Sequence, residues 1–361
     1  MAKKIYFTAG PAELYFTVEG HMRDALKHQI PSISHRSSQF SKLYQETEES
    51  LRTLADIPDN FKVFFTSSAT EIWERTLQSC VQNHSLHLVN GAFSKRFATI
   101  AKQLNRSVQQ IDASTGSVVY PDQLSAVENP ELVAVTHNET SMGVQQPIEH
   151  LQAIRERFAD ALISVDVVSS FPLVKLPYDA IDMAYFSVQK CFGLPAGLGV
   201  WILNQRSIDR ALSLKNKLPS AYHGIPSFWD KYQNYQTPAT PNVLAVYLLN
   251  GVVQDMLQKG LNRIRNEGIY KSTLLYQLFE QHQLFKPFVE VAECRSQTVV
   301  VANTGSHTEA LMDYLGKRGL IIGSGYGSFK QTQVRIANFP THSKEQVEML
   351  VDQIQAFDIT N

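Results

Sequence analysis

Cysteine is scarce in this chain. The three residues Cys80, Cys191 and Cys294 stand far apart, which argues against a disulfide framework and against a zinc site. No uninterrupted apolar run approaches the length of a membrane span. An excess of one charge is missing as well. With a formal net charge of −1, the chain has no electrostatic footprint for nucleic acid or an anionic membrane. The opening MAKKIYFTAGPAE turns polar and reaches Gly10-Pro11 too early for a secretory leader. No Gly-x-Gly-x-x-Gly opens a first helix, so the dinucleotide-binding signature is absent. No internal repeat or low-complexity segment is visible. These absences predict a cytoplasmic protein of a reducing compartment, acting on small molecules, with no nucleic acid, membrane or metal among its partners.

What is present is ordinary globular composition, 43% hydrophobic and 19% charged, spread over 361 residues. That length is too great for one small core and predicts an α/β domain with a smaller lobe. The N-terminal part carries an extended FTAGP, a helix over 17–28, a loop holding His35-Arg36, and a helix over 39–54 ended at the DIPDN stretch. From Lys62 short apolar runs alternate with amphipathic helices. Strands are expected over 63–65, 87–89, 132–135, 162–165, 185–188 and 200–203, with helices over 71–80, 94–104 and 148–158. This rhythm means parallel pairing through crossover helices. The last two strands are too close for a crossover, so that pair is expected to be antiparallel and the sheet mixed. Beyond a Pro-rich loop, QTPATPN, come helices over 244–259 and 262–282. An extended piece over 289–301, a helix over 306–318 and a strand near 333–336 then read as the smaller α+β lobe.

The segment MAYFSVQKCFGLPAGLGVWIL, residues 183–203, holds one charge, Lys190, between two apolar strands. An amine taken into an apolar interior loses hydration and becomes neutral and nucleophilic near neutral pH, as a Schiff-base lysine requires. By itself the segment reads sooner as a strand-to-strand loop carrying an ordinary lysine. Asp166 closes the strand of SVDVVSS, where an open α/β sheet faces its ligand. It can hold a pyridinium nitrogen protonated, or simply cap a turn. The small residues Ser67, Ser68, Ala69 and Thr70 lie between a strand and a helix. They suit a phosphate at a helix N-terminus, and equally a plain N-cap. Phe93 follows another strand end and offers either a stacking face or core. Asn138-Glu139-Thr140 follows a third, with a hydroxyl at Thr140 for a phenolic oxygen and side chains that also satisfy loop backbone. The order of these features along successive strand ends argues against coincidence.

These motifs resemble those of the class V, fold-type I aminotransferases that depend on pyridoxal 5′-phosphate, most of all the phosphoserine aminotransferases. The likeness runs through FTAGPAEL, SHRSSQF, VFFTSSATE, NGAFSKR, HNETSMG, SVDVVSS, VQKCFGLPAGLGV and QTPAT. It implies a large domain, residues 16–260, with a mixed, mostly parallel seven-stranded sheet, and a small domain from 1–15 and 261–361. It implies that Lys190 carries the cofactor as a Schiff base and moves the proton. By the same resemblance Asp166 binds the pyridine nitrogen, Phe93 stacks on the ring and Thr140 meets the phenolic oxygen. Ala69, Thr70 and Gln189 bind the phosphate, Thr237 reaches it from a second subunit of a homodimer, and Arg335 pairs with the substrate α-carboxylate. His35 and Arg36 are the candidates for a distal anion of the amino acid. The implied reaction moves an amino group between O-phospho-L-serine and 2-oxoglutarate. A serine or alanine transaminase acting with glyoxylate or pyruvate is the alternative.

The chain departs from the family in two places. The second His-Arg pair that phosphoserine enzymes carry before the position of Arg335 is replaced by GSGYGSFKQTQVR, where Lys330 is the nearby cation. The Asn of Asn-Thr-Pro is Gln236. A cysteine desulfurase is disfavoured, since Cys80 is expected in a helix, Cys294 at a lobe strand and Cys191 beside the lysine. A catalytically silent binding module is disfavoured by the presence of Lys190, Asp166 and Arg335 together.

Overall fold

Most strands of the central sheet are largely apolar because each side-chain row enters a different core. In Phe61–Thr66, Val63 and Phe65 face one layer and Phe64 the other; in Gly199–Asn204, Val200 and Ile202 face the first, Trp201 and Leu203 the second. The first layer packs under the helices Ser38–Ala55, Ile148–Arg157 and Val243–Lys259. The second packs under Ala69–Cys80, Ala92–Gln103, Gln205–Leu214 and Ile225–Tyr232. Sheet faces covered on both sides by helices are the α/β solution to burying such strands.

The computed structural model describes residues 4–218 and 222–357. Among them the strands are β1 (Ile5–Phe7), β2 (Phe61–Thr66), β3 (His84–Val89), β4 (Ser107–Asp112), β5 (Leu132–Thr136), β6 (Asn138–Glu139) and β7 (Val144–Gln145). They continue with β8 (Leu162–Asp166), β9 (Met183–Ser187), β10 (Gly199–Asn204), β11 (Lys286–Pro287), β12 (Val299–Asn303), β13 (Leu320–Ser324) and β14 (Gln333–Ala337). The seven-stranded sheet runs β2-β10-β9-β8-β5-β3-β4. All its pairs are parallel except those of β10, which is antiparallel to both β2 and β9. The mixed, mostly parallel sheet expected from the sequence is therefore found, with its reversal at the expected pair.

A second sheet, β1-β13-β14-β12-β11, takes its first strand from the N-terminus and the rest from beyond residue 285. The long helix Leu261–Gln281 and the helices Thr308–Lys317 and Lys344–Gln355 cover it. Two expectations need correction. The extended piece at 289–301 is mostly loop, and only its end joins β12. Arg295 draws that loop inward through the Val289 carbonyl, at 3.0 Å, and the Glu280 carboxylate. Cys294 lies on a short helical turn, not on a strand. The helices Gln205–Leu214 and Lys344–Gln355 and the strands β4 and β13 had no counterpart in the sequence reading. No helix is long and apolar enough to cross a membrane among the described residues.

Phe64 is fully buried, stacked on Phe228 at 5.3 Å and edge-on to Trp201 at 6.4 Å. Phe64→Ala removes the centre of this aromatic cluster. Its expected cost is about 3–5 kcal/mol, read as a lowered midpoint of urea unfolding; an unchanged midpoint contradicts the packing described.

Candidate active site

Strand register decides which side chains meet at the carboxyl edge of the sheet. Thr66 ends β2 opposite Gly199, the first residue of β10, and Gly199 also faces Ser187 at the end of β9. Beside them, Tyr185 pairs with Asp166 and Asp166 with Thr136. Three connections leave this edge together: the Ser67-Ser68 turn into a helix, the turn after Asp166, and the loop that carries Lys190. Gly199 permits their closeness. A Cβ there would lie 2.5 Å from the Ser68 carbonyl carbon and from Thr66 Oγ1.

The edge opens into a cavity of about 260 Å³ lined by Ala69, Thr70, Phe93, Thr140, Asp166, Gln189 and Lys190, all of them candidates from the sequence. Ser68 caps the helix, its Oγ accepting from the Glu71 N–H at 3.2 Å, and the Ala69 N–H donates to Ser187 Oγ at 2.9 Å. Phe93 stands at the mouth, its ring tilted against Tyr326 at 5.6 Å. Thr140 is buried and its Oγ1 lies 2.8 Å from Ser169 Oγ.

Lys190 is buried and donates from Nζ to the Ala9 carbonyl. Burial, helped by the positive charge of Arg335, pushes its amine down to about 8. Gly10 makes room for it, since a Cβ there would fall 2.1 Å from Nζ, and its φ of +135° suits glycine. Asp166 is also buried, with the Val168 N–H donating to Oδ1 at 2.9 Å. Burial pushes its carboxyl up to about 7, opposed by that hydrogen bond and reinforced by Glu139. Two oppositely charged groups are thus brought close to neutral pH in one cavity, the signature of a site that moves protons. Glu139 itself is spent on backbone. It accepts from the N–H groups of Phe93 and Ser94, at 3.1 and 3.0 Å, at the start of their helix, where a carboxylate is favoured.

Arg335 borders the cavity from β14. Its Nη1 donates to the Thr140 carbonyl at 3.4 Å and its Nε to the Ser324 carbonyl at 2.9 Å. Among the described residues no carboxylate pairs with it, so its guanidinium is available to an anion. Thr237, His35 and Arg36 do not reach this cavity. Thr237 lines a neighbouring one with Ser67, Glu71 and His223. Arg36 is exposed and holds that loop, donating from Nη1 to Gln236 Oε1 at 3.0 Å and to the Thr237 carbonyl at 2.9 Å, and from Nη2 to the Pro238 carbonyl at 3.3 Å. His35, beside it, is partly exposed, and burial and Arg36 lower its tendency to protonate. Lys330 lies in a separate surface cleft with Glu309 and Asp313.

Sequence reasoning missed several lining residues, among them Gly10 and the side chains of Trp73, Asn138 and Ser187. Trp73 had a signal: it stands one helical turn after Ala69, on the face that the turn aims at the crevice. Asn138 was noted only for its backbone. Trp73 Nε1, Asn138 Oδ1 and Gln189 Oε1 are buried without a hydrogen-bond partner. Interior polar atoms are normally paired, so the cavity is built for a polar occupant.

Residues 6–350 match the family model described as "Aminotransferase class-V". The chain is similar to a phosphoserine aminotransferase of Rhodococcus opacus, 27% identical over 330 residues, covering 89% of this chain and 86% of that one. It is similar to the crystal structure of a phosphoserine aminotransferase from Cytophaga hutchinsonii, with 46% identity, a TM-score of 0.96 and 99% of both chains covered. An alanine–glyoxylate aminotransferase from Nostoc shares the fold, with a TM-score of 0.85 at 22% identity over 99% of this chain and 95% of that one.

An amine titrating near 8 is expected to be alkylated well before exposed lysines. Reductive methylation at graded pH, read by peptide mapping, should show modification of Lys190 falling about tenfold for each unit below 8. A Lys190 that follows the exposed lysines upward in pH contradicts the assignment.

Proposed function

This chain belongs to the class V aminotransferases, and from that premise we propose that it transfers the amino group between O-phospho-L-serine and 2-oxoglutarate. Its reaction is transamination and its cofactor pyridoxal 5′-phosphate. The observation that carries the chemistry is the burial of Lys190 and Asp166 in one cavity. The substrate assignment is supported by the 46% identity to the Cytophaga phosphoserine aminotransferase across 99% of the chain.

The residues present fit the cofactor. A buried carboxylate with one hydrogen bond suits a protonated ring nitrogen, and the start of the helix Ala69–Cys80 suits a phosphate. The unpartnered polar atoms of Trp73, Asn138 and Gln189 suit a flat, substituted ring system. Lys190, Asp166, Phe93, Thr140, Ala69, Thr70 and Gln189 are the residues that would hold it. When bound, pyridoxal phosphate supplies an aldehyde for the amino group and an electron-withdrawing ring. Lys190 Nζ, in its neutral form, would accept the proton leaving the substrate Cα and return it to the cofactor carbon that takes up the amino group. Asp166 keeps a proton on the ring nitrogen by supplying the compensating charge. Arg335 binds the α-carboxylate and so fixes the Cα–H bond relative to Lys190.

The distal phosphate of the substrate falls to His35 and Arg36. Both stand on the outer face with the Thr237 loop, which supports a homodimer whose subunits complete each other's sites. Arg36 spends three of its five N–H groups on Gln236, Thr237 and Pro238, which keeps two for an anion. Residues 16–260 form the large domain on this reading, and 1–15 with 261–361 the small one. A cytoplasmic location is supported by three free, buried cysteines. Transamination of serine or alanine with glyoxylate or pyruvate is the second reading. It is favoured by one observation: Lys190 is the sole cation among the residues named as lining the cavity.

Lys190→Ala is expected to keep cofactor binding and lose turnover by roughly four orders of magnitude; borohydride should label position 190 only in the wild type. A panel of phosphoserine, serine and alanine separates the two substrate readings, with a preference for the phosphorylated donor expected. Arg36→Ala should raise the KM for phosphoserine by on the order of tenfold to a hundredfold and leave that for alanine unchanged. An equal change for both donors refutes its contact with the anion.

A further inference from the structure

Lys271, on the long helix Leu261–Gln281, is a buried lysine with no role assigned so far. It takes part in no ion pair among the described residues. Glu267, one turn earlier, is occupied by Lys259 at 2.6 Å and Arg263 at 3.2 Å. The Lys271 Nζ donates instead to two main-chain oxygens of the turn that follows β14, the Phe339 carbonyl at 3.1 Å and the His342 carbonyl at 2.8 Å. No backbone N–H reaches the His342 carbonyl among the described residues, so the lysine is what satisfies it. An apolar side chain would cost less to bury there. What the amine adds is direction, since it fixes both ends of that turn to one helix.

The turn touches the surroundings of Lys190 at two points. The first is His342, whose imidazole burial draws down to about 4 and so keeps neutral. Its Nε2 lies 3.0 Å from the Tyr6 carbonyl, which only accepts. The hydrogen therefore sits on Nε2, and Nδ1 accepts from Thr341 Oγ1 at 3.3 Å. The same ring stacks on Phe7 at 4.6 Å. The second point is Thr341. A Cβ on Gly193 would lie 2.2 Å from Thr341 Cγ2, so the turn packs directly on that glycine. The Gly193 N–H donates to the Lys190 carbonyl at 2.9 Å, and the Gly193 carbonyl accepts from the Tyr15 N–H at 2.9 Å. Tyr6, Phe7 and Tyr15 belong to the N-terminal stretch whose Ala9 carbonyl meets the Lys190 amine.

We propose that Lys271 is a positioning residue for Lys190: by pinning the turn 339–342 it holds the N-terminal stretch and the Gly193 bend against the active lysine and keeps water from its amine. This rests on the reading of Lys190 as the reactive amine. The groups that act on Lys190 are Arg335, Cys191, Asp166 and Glu139, and those that act on Lys271 are Glu267, Lys259 and Cys191. Burial is the main cause of the weakened hold of Lys190 on its proton. Loss of the pin admits water, and the amine then moves back up toward an ordinary lysine.

The test is reductive methylation at graded pH, read at position 190 by peptide mapping, on the full-length chain freed of cofactor. Wild type, Lys271→Met, His342→Phe and the double variant are compared. Lys271→Met removes the donors at nearly constant volume. His342→Phe keeps the stack on Phe7 and every nearby charge, and removes the bond to Tyr6. Each is expected to raise the Lys190 midpoint from about 8 by about one pH unit, a tenfold loss of labelling at a fixed lower pH. The double variant should rise no further than the larger single change. Should Lys271→Met not fold, Lys271→Gln, whose amide donates but reaches less far, is expected to raise the midpoint by less. An unmoved or lowered midpoint overturns the proposal. So does a rise in only one of the two variants: in Lys271→Met alone it reports a lost charge, in His342→Phe alone a contact local to the histidine. Rises that add in full mark two unconnected effects and overturn it too. A wild-type Lys190 that labels with the exposed lysines overturns the reading of Lys190 itself, and the proposal with it.

Discussion

The constraint on which this structure depends is desolvation of two opposite charges, the Lys190 amine and the Asp166 carboxyl, in one cavity. Among the described residues neither has a charged partner in contact, and each leans on one backbone group, the Ala9 carbonyl and the Val168 N–H. Burial of this kind disfavours the charged form of both, which is why an amine and a carboxyl meet near neutral pH. A surface lysine and a surface aspartate could not serve: their values lie too far apart to exchange protons with a substrate at physiological pH. Much of the local architecture keeps water from these two groups while leaving one face open.

The second sheet takes part in that enclosure through the N-terminus. β1 pairs with β13, Ile5 opposite Leu320, and the chain then crosses to the large sheet. There the Ala12 N–H donates to the Gln189 carbonyl at 3.1 Å and the Tyr15 N–H to the Gly193 carbonyl at 2.9 Å. Residues on both sides of Lys190 are thus tied to one strap, and Ala9, in the middle of it, meets the amine. Arg335 on β14 reaches the Thr140 carbonyl beside the cavity, and Thr298 before β12 holds the Ser169 carbonyl behind it. The two sheets are thus tied together around Lys190.

The parts of this arrangement that were legible in sequence are those written as pattern. Strands buried on both faces leave apolar runs, and the two strands flanking Lys190 were too close for a crossover, which gave the reversal of β10. The residues at strand ends followed from that, and seven of the named candidates line one cavity. The edge strand β4, SVQQID, was invisible because it is half-buried and nearly all polar at one end. β1 has three residues and finds its partner more than 300 positions later, a pairing no local pattern encodes. Trp73, Asn138 and Ser187 escaped for a different reason: each looks like an ordinary helix or strand residue, and only register aims it inward.

On the proposed reading, His35, Arg36 and Thr237 are the residues for which a single chain is not a sufficient description. The motif that contains the first two was conspicuous, yet their place is an outer face, where Arg36 grips the loop of Gln236, Thr237 and Pro238. Gln236, the departure from the family's Asn, is itself one of the grips, so the exchange changes what holds the arginine. An arginine restrained by three acceptors loses less rotational freedom on meeting an anion than a free one. On the proposed reading that economy is spent in the other subunit's cavity, which by itself offers Arg335 for the α-carboxylate and no further arginine for a second anion. Discrimination between a phosphorylated and a plain amino acid then belongs to the assembled pair, and the proton chemistry to each chain alone.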